Sequence, residues 1–146
     1  MNMPQAIQEK CQETGQDVPH SPGEIFRVCL ESLAMKYRYS LEKLAWLLDQ
    51  KPDVFHIIGG AARNKLLNQF AANAINRPVL AGPYEATAIG TLIVQMVADG
   101  ELADLWEGRE LIRRSFPVKT FLPQDTAEWD DKYQVFLQAT NLTAVD

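Results

Sequence analysis

Asp53-Val54-Phe55-His56-Ile57-Ile58-Gly59-Gly60-Ala61-Ala62-Arg63-Asn64-Lys65-Leu66 is the stretch on which the fold turns. The run over 53–58 is short and mostly apolar, with no clean alternation, so it reads as a buried strand with a parallel neighbour. Leu66, Leu67, Phe70, Ala71 and Ala74 then mark a helix of about three turns at the 3.6-residue period. Between strand and helix stand Gly59 and Gly60. Two glycines there leave main chain uncovered by side chains, and a flat base or a phosphate can lie directly on it. The helix that follows presents free N–H groups and the positive end of its dipole. Asn64 carries both an amide donor and an acceptor and could reach a purine edge. The segment is not a P-loop, because no Lys-Ser/Thr follows, and it lacks the third glycine of the dinucleotide fingerprint. A Gly-Gly pair alone is more often a plain strand-to-helix turn.

Working outward, Pro78-Val79-Leu80-Ala81 forms a second short strand, closed by Gly82-Pro83. A helix is expected from about Glu85 to Ala98, with Ile89, Leu92, Ile93 and Met96 inward and Gly100 capping its end. A short helix near Glu107–Arg113 follows. Phe116 to Pro123 must be extended and is expected to cross the surface. Asp125-Thr126-Ala127-Glu128 has the composition of a helix cap, opening a last helix with Trp129, Tyr133, Phe136 and Leu137 on one side as core. Upstream, Ala6–Cys11 is a short helical pattern, followed by the polar connector Glu13–Asp17. Ser21-Pro22-Gly23-Glu24 is a strong helix start with a capping box and proline at the first position. Ile25, Cys29, Leu33, Tyr37, Leu41, Leu44 and Leu48 then recur every three or four residues, which predicts one long amphipathic helix to about residue 49. The spacing is not a strict heptad, so packing on a sheet is expected rather than a coiled coil.

The resulting class is α/β: short parallel strands flanked by helices. Two strands are too few to cover their own edges. The sequence reads as a domain without its opening strands. Bulk properties fit one globular domain: 146 residues, 47% hydrophobic, 23% charged, formal net charge −5. No basic cluster exceeds Arg113-Arg114, which argues against nucleic acid or an anionic membrane as the main partner. No apolar run approaches the roughly 20 residues of a membrane helix, and Met1–Gln5 has no signal-peptide pattern, so the cytoplasm is the default setting. Cys11 and Cys29 are expected to be free thiols; a bridge remains open if the segment 11–20 folds back. His56 is expected in a core or cleft and His20 on the surface, neither at metal-ligand spacing.

Gly59-Gly60-Ala61-Ala62-Arg63-Asn64, Leu66 through Ala74, Pro78-Val79 and Gly82-Pro83-Tyr84-Glu85-Ala86-Thr87-Ala88-Ile89-Gly90 together resemble the adenosine-binding stretch of FGGY carbohydrate kinases. Pro22-Gly23-Glu24-Ile25, Leu30 through Arg38, and Glu13-Thr14-Gly15-Gln16 are similar to the rhamnulokinase branch of that family. The likeness runs from about residue 3 to about residue 137. It implies an actin-like ATPase (ribonuclease-H-like) C-terminal domain, incomplete here, with ATP in a cleft between two domains. It implies Mg-ATP as cofactor and a ketose as the sugar partner. Gly60 would pack against the nucleotide, Gly59 would shape the turn, Asn64 would contact adenine, Glu85 would open the next helix near the same cleft, and Gly90 would allow close helix packing. Ala61 stands where a third glycine is common, and Thr91 where asparagine is. The family's catalytic aspartate, its sugar contacts and its first phosphate loop would all precede residue 1. Asp53, Glu85, Asp99 and Asp104 read as surface or helix-end acids, so the chain alone is not expected to transfer a phosphoryl group. The place where opening strands would pack is expected to be apolar, predicting self-association or a partner subunit.

Overall fold

The computed structural model describes residues 2–144. Helix α1 spans Met3–Glu13 and α2 Pro22–Leu48. Strand β1 spans Phe55–Ile57, and a 3-10 turn over Gly59–Arg63 leads into α3, Lys65–Ile75. Strand β2 covers Val79–Ala81, α4 Ala86–Ala98 and α5 Leu105–Ser115. Strand β3, Lys119–Phe121, and α6, Thr126–Thr140, complete the fold.

The sheet is mixed, and this departs from the all-parallel expectation. β1 and β2 pair in parallel, with Phe55 opposite Val79, His56 opposite Leu80 and Ile57 opposite Ala81. The extended segment over 116–123 does more than cross the surface: its centre, β3, pairs antiparallel to the other edge of β2, Leu80 opposite Thr120. A bare β2 edge would leave unpaired N–H and C=O groups, and the proline-flanked strand satisfies them. The sheet has one covered face. Ile57, Val79 and Ala81 are buried on it, whereas His56 and Thr120, in register across Leu80, are exposed on the other. His56 is therefore not a core histidine. It sits on the open face because the period of a strand is two, and the short apolar run concealed that alternation.

α3 is the centre of the molecule and is buried nearly all round, from Leu67 to Ile75 apart from Gln69. Ala71, Ala72 and Ala74, all at 0% exposure, let other elements approach its backbone closely. One side joins Leu30, Ala34, Met35, Trp129, Tyr133 and Leu137 in the larger core, where Phe70 and Trp129 meet with ring centroids 5.0 Å apart. The other side closes on Ile57, Val79 and Ala81. Burial of the Trp129, Tyr133, Leu137 stripe agrees with the sequence.

α2 begins as read. Ser21 Oγ accepts from Glu24 N at 3.3 Å, and Glu24 Oε2 accepts from the backbone N–H of Ser21 (2.9 Å) and of His20 (2.7 Å). These bonds hold the Glu24 carboxyl below the usual carboxylate range. The inward seam differs from expectation. Leu30, Ala34 and Met35 are buried against α3 and α6, while Cys29, Leu33, Leu44 and Leu48 face out. The helix is apolar on two adjacent stripes, and periodicity alone cannot choose between them. Tyr37 and Leu41, on the margin, still reach the strand cluster, Tyr37 lying 5.6 Å from Phe55 between ring centroids.

Ile93 of α4 is buried, but Leu92 is exposed, contrary to the inward set. Gly90 makes no close helix contact among the described residues: a Cβ there would meet nothing within 4 Å. The close helix contact lies at Gly108 of α5, where a Cβ would overlap Ile93 Cγ2. Gly100 does end α4, at φ 78°. Asp104 caps α5, accepting from Trp106 N and Glu107 N. Asp125 makes no side-chain cap; it adopts φ 50°, and the chain enters α6 through that left-handed residue instead. Cys11 is buried, Cys29 exposed, and both are free thiols. No helix among the described residues is long and apolar enough to cross a membrane.

Candidate nucleotide-binding turn

β1 delivers the chain from buried Ile57 to exposed Ile58 and then into the Gly59–Arg63 turn. Gly59 has φ 71°, in the left-handed region that side chains disfavour, so the backbone favours glycine there. Its N–H donates to the Pro83 carbonyl at 3.0 Å, and Gly82 N donates to Ile57 O at 2.9 Å. The end of β1 is thereby stitched to the loop between β2 and α4. Gly82 is constrained twice, by φ 127° and by a virtual Cβ only 2.9 Å from Pro117 O. The Gly82–Pro83 peptide is cis.

Gly60 differs from both. It is exposed, its φ is outside the left-handed region, and a Cβ built on it would meet nothing within 4 Å. Among the described residues no contact demands glycine at this position. Open main chain of this kind suits a ligand that packs flat on the backbone.

Asn64 ends the turn and caps α3. Its Oδ1 accepts from Leu67 N at 3.1 Å, and its own N–H donates to Ala61 O at 3.0 Å. Nδ2 makes no hydrogen bond among the described residues and can donate to a ligand, while Oδ1, already accepting from Leu67 N, keeps one lone pair. The sequence pointed to the residue but not to this division of labour.

Three neighbours complete the wall. Arg63 and Glu85 form an ion pair at 2.8 Å, and the Arg63 guanidinium lies 5.4 Å from the Tyr84 ring centroid. Glu85 thus stands beside the turn, as expected, at the N-terminal end of α4. The side chains of the pair are 63% and 70% exposed, so the link contributes little to stability by itself. Beneath the turn, Asn68 of α3 donates from Nδ2 to Ala62 O at 2.9 Å. Sequence reading passed over Asn68. The available signal was a polar residue one helical turn after Asn64, between the apolar Leu67 and Phe70.

Asp53, Asp99 and Asp104 are exposed, and Glu85 is engaged with Arg63. Among the described residues no three His, Cys, Asp or Glu side chains come together to hold a metal ion. The exposed main chain at Gly60 leaves room for a flat ligand.

Residues 1–98 match the C-terminal domain of the FGGY family of carbohydrate kinases. The chain is 52% identical over 132 residues to the rhamnulokinase of Bacteroides thetaiotaomicron, covering 90% of this chain and 27% of that protein. It is 42% identical over 124 residues to the rhamnulokinase of Bacillus subtilis, covering 85% and 26%. It is also 42% identical over 145 residues to the rhamnulokinase of Enterococcus faecalis, covering 97% and 29%. The chain therefore spans little more than a quarter of the length of these curated relatives. The domain has the actin-like ATPase fold, represented here by a helix-rich body around a small mixed sheet. The chain belongs to the FGGY family of carbohydrate kinases and carries that family's C-terminal domain.

Proposed function

We propose that the chain is the nucleotide-binding portion of a rhamnulokinase-like kinase and seats the adenosine of ATP on the main chain at Gly60. The observation that carries this reading is the contrast between the glycines. Gly59 and Gly82 sit at positive φ, which favours glycine, and Gly82 is also closely packed, whereas a Cβ at Gly60 would meet nothing within 4 Å among the described residues. In this reading Gly59 sets the direction of the turn, Gly60 supports the base and ribose, and Asn64 Nδ2 donates to a purine nitrogen. Arg63, Tyr84 and Glu85 wall the seat on the α4 side. The complete enzyme would move the γ-phosphate of Mg-ATP to a primary hydroxyl of L-rhamnulose, giving the 1-phosphate, in the cytoplasm. The catalytic base, the sugar contacts, the metal ligands and the domain's opening strands would come from sequence outside this chain, so the chain alone binds without catalysing.

The test is calorimetric titration of Mg-ATP into the chain and into Asn64→Ser. Serine keeps a helix-capping oxygen but removes the amide donor, so the fold is preserved while affinity falls. Absence of binding heat with the wild-type chain, or equal heat from both proteins, defeats the reading.

A second reading, a non-catalytic module that pairs with itself, is favoured by one observation. Phe26, Leu33, Leu44, Leu47 and Leu48 lie along one side of α2 with exposures from 39% to 71%. A continuous apolar stripe of that kind is a docking surface in search of a partner. Sedimentation equilibrium of the chain, with Leu33→Lys as control, tests it; a monomer at every concentration refutes self-association.

A further inference from the structure

Asn68 is fully buried at 0% exposure, and its side chain reaches the turn. Its Nδ2 donates to Ala62 O at 2.9 Å, and a carbonyl only accepts, so the amide orientation follows from the chemistry. Its Oδ1 is buried and accepts no hydrogen bond from any described residue. Buried asparagine with half its amide unused is a poor core stabiliser, since an unmatched polar atom in low dielectric is unfavourable. The other buried asparagine of α3 is unlike it: Asn73 Oδ1 accepts from both Gln69 Nε2 and Gln124 N, and it secures the linker that follows β3.

We infer that Asn68 is a positioning residue for the nucleotide seat, holding the Ala62 carbonyl so that the Gly59–Arg63 turn keeps its main chain open at Gly60. The turn is otherwise held to α3 by apolar packing, Ala62 being buried with Ala71, Ala72 and Ile75 and Ala61 packed beside them. Asn64 N to Ala61 O closes it locally, and Gly59 N to Pro83 O fixes its first residue to a different element. The Asn68 amide is the side-chain bond that ties the middle of the turn to the helix beneath it. The inference rests on the nucleotide reading for its purpose, but the tether itself is a property of the free chain.

The experiment compares Asn68→Leu with wild type and with Asn73→Leu. Leucine matches asparagine in shape and removes both the tether and the unmatched Oδ1. Asn68→Leu should keep a Tm equal to or above wild type, exchange its amide protons over residues 60–64 at least tenfold faster, and bind Mg-ATP at least fivefold more weakly. Asn73→Leu should lower Tm and leave both turn exchange and affinity unchanged. If Asn68→Leu fails to fold, Asn68→Asp replaces it: its buried carboxyl donates to Ala62 O only when protonated. Its turn exchange, taken as a ratio to wild type at the same pH, should then fall toward one as the pH is lowered from about 8 to about 5.5. A lowered Tm with unchanged turn exchange makes Asn68 an ordinary core residue and overturns the inference. So does Asn68→Asp exchange at the wild-type rate at both pH values. If wild type binds no nucleotide while Asn68→Leu still loosens the turn, the tether stands and the nucleotide reading falls.

Discussion

Gly60→Val separates an open ligand seat from an ordinary tight turn. The built Cβ at Gly60 meets nothing within 4 Å, and its backbone lies outside the positive-φ range, so the branch point of a valine enters without overlap. Its stability effect should stay within about 0.5 kcal/mol of zero, as at an ordinary surface site. Loss of glycine freedom in the unfolded chain can add about 0.4–1 kcal/mol in favour of the variant. The effect on nucleotide should be opposite and larger. A base in van der Waals contact sits about 3.5–4 Å from the main-chain atoms, and the valine methyl groups fill that layer. Losing even part of the contact should weaken Mg-ATP by at least tenfold, or about 1.4 kcal/mol. Thermal unfolding and calorimetric titration on the same preparations read the two effects. An unchanged affinity with unchanged Tm shows that no ligand lies on Gly60. A large fall in Tm shows that glycine is there for the fold.

Gly59→Val, by contrast, places a β-branched residue at φ 71° and should destabilise by about 1–3 kcal/mol, measured by urea unfolding; a neutral result refutes the conformational argument. Gly108→Ala gains helix propensity but drives a methyl group into buried Ile93, so a net loss of about 1–2 kcal/mol is expected from thermal melts, relieved by Ile93→Val in the double variant. The Glu24 carboxyl titrates below its ordinary value when folded, so its contribution is complete above about pH 5 and fades as pH falls through that lowered value. The Tm gap between wild type and Glu24→Gln should therefore be present at neutral pH and shrink toward about pH 3; a gap that widens in acid reverses the argument. Tyr133 has its hydroxyl pushed well above the usual phenol range by burial and by donation to Glu42 Oε2 at 2.6 Å. Tyr133→Phe should leave Glu42 paired with Arg38 and cost about 0.5–1.5 kcal/mol in denaturant unfolding.

Local chemistry by itself determined a good part of this protein. The capping box at Ser21–Glu24, the strand at 55–57, the left-handed Gly59, the helix over Lys65–Ile75 and the aromatic stripe of α6 all follow from interactions within a few residues. Resemblance through Gly59, Gly60, Asn64 and the Glu85–Gly90 block was enough to find the family, because those residues lie close together in the chain. What only the tertiary structure decided depends on partners distant in sequence. Pairing of β3 with β2 joins residues about forty positions apart. The choice of the Leu30–Ala34 side of α2 over the Cys29–Leu33 side needed α3 and α6 to be in place. Gly108 rather than Gly90 became the close helix contact because Ile93 lies opposite it. At the seat itself, folding alone assigned the Asn64 acceptor to Leu67 N and the Asn68 donor to Ala62 O. Sequence names the polar groups at such a site; geometry decides which of them the fold consumes and which are left for a ligand.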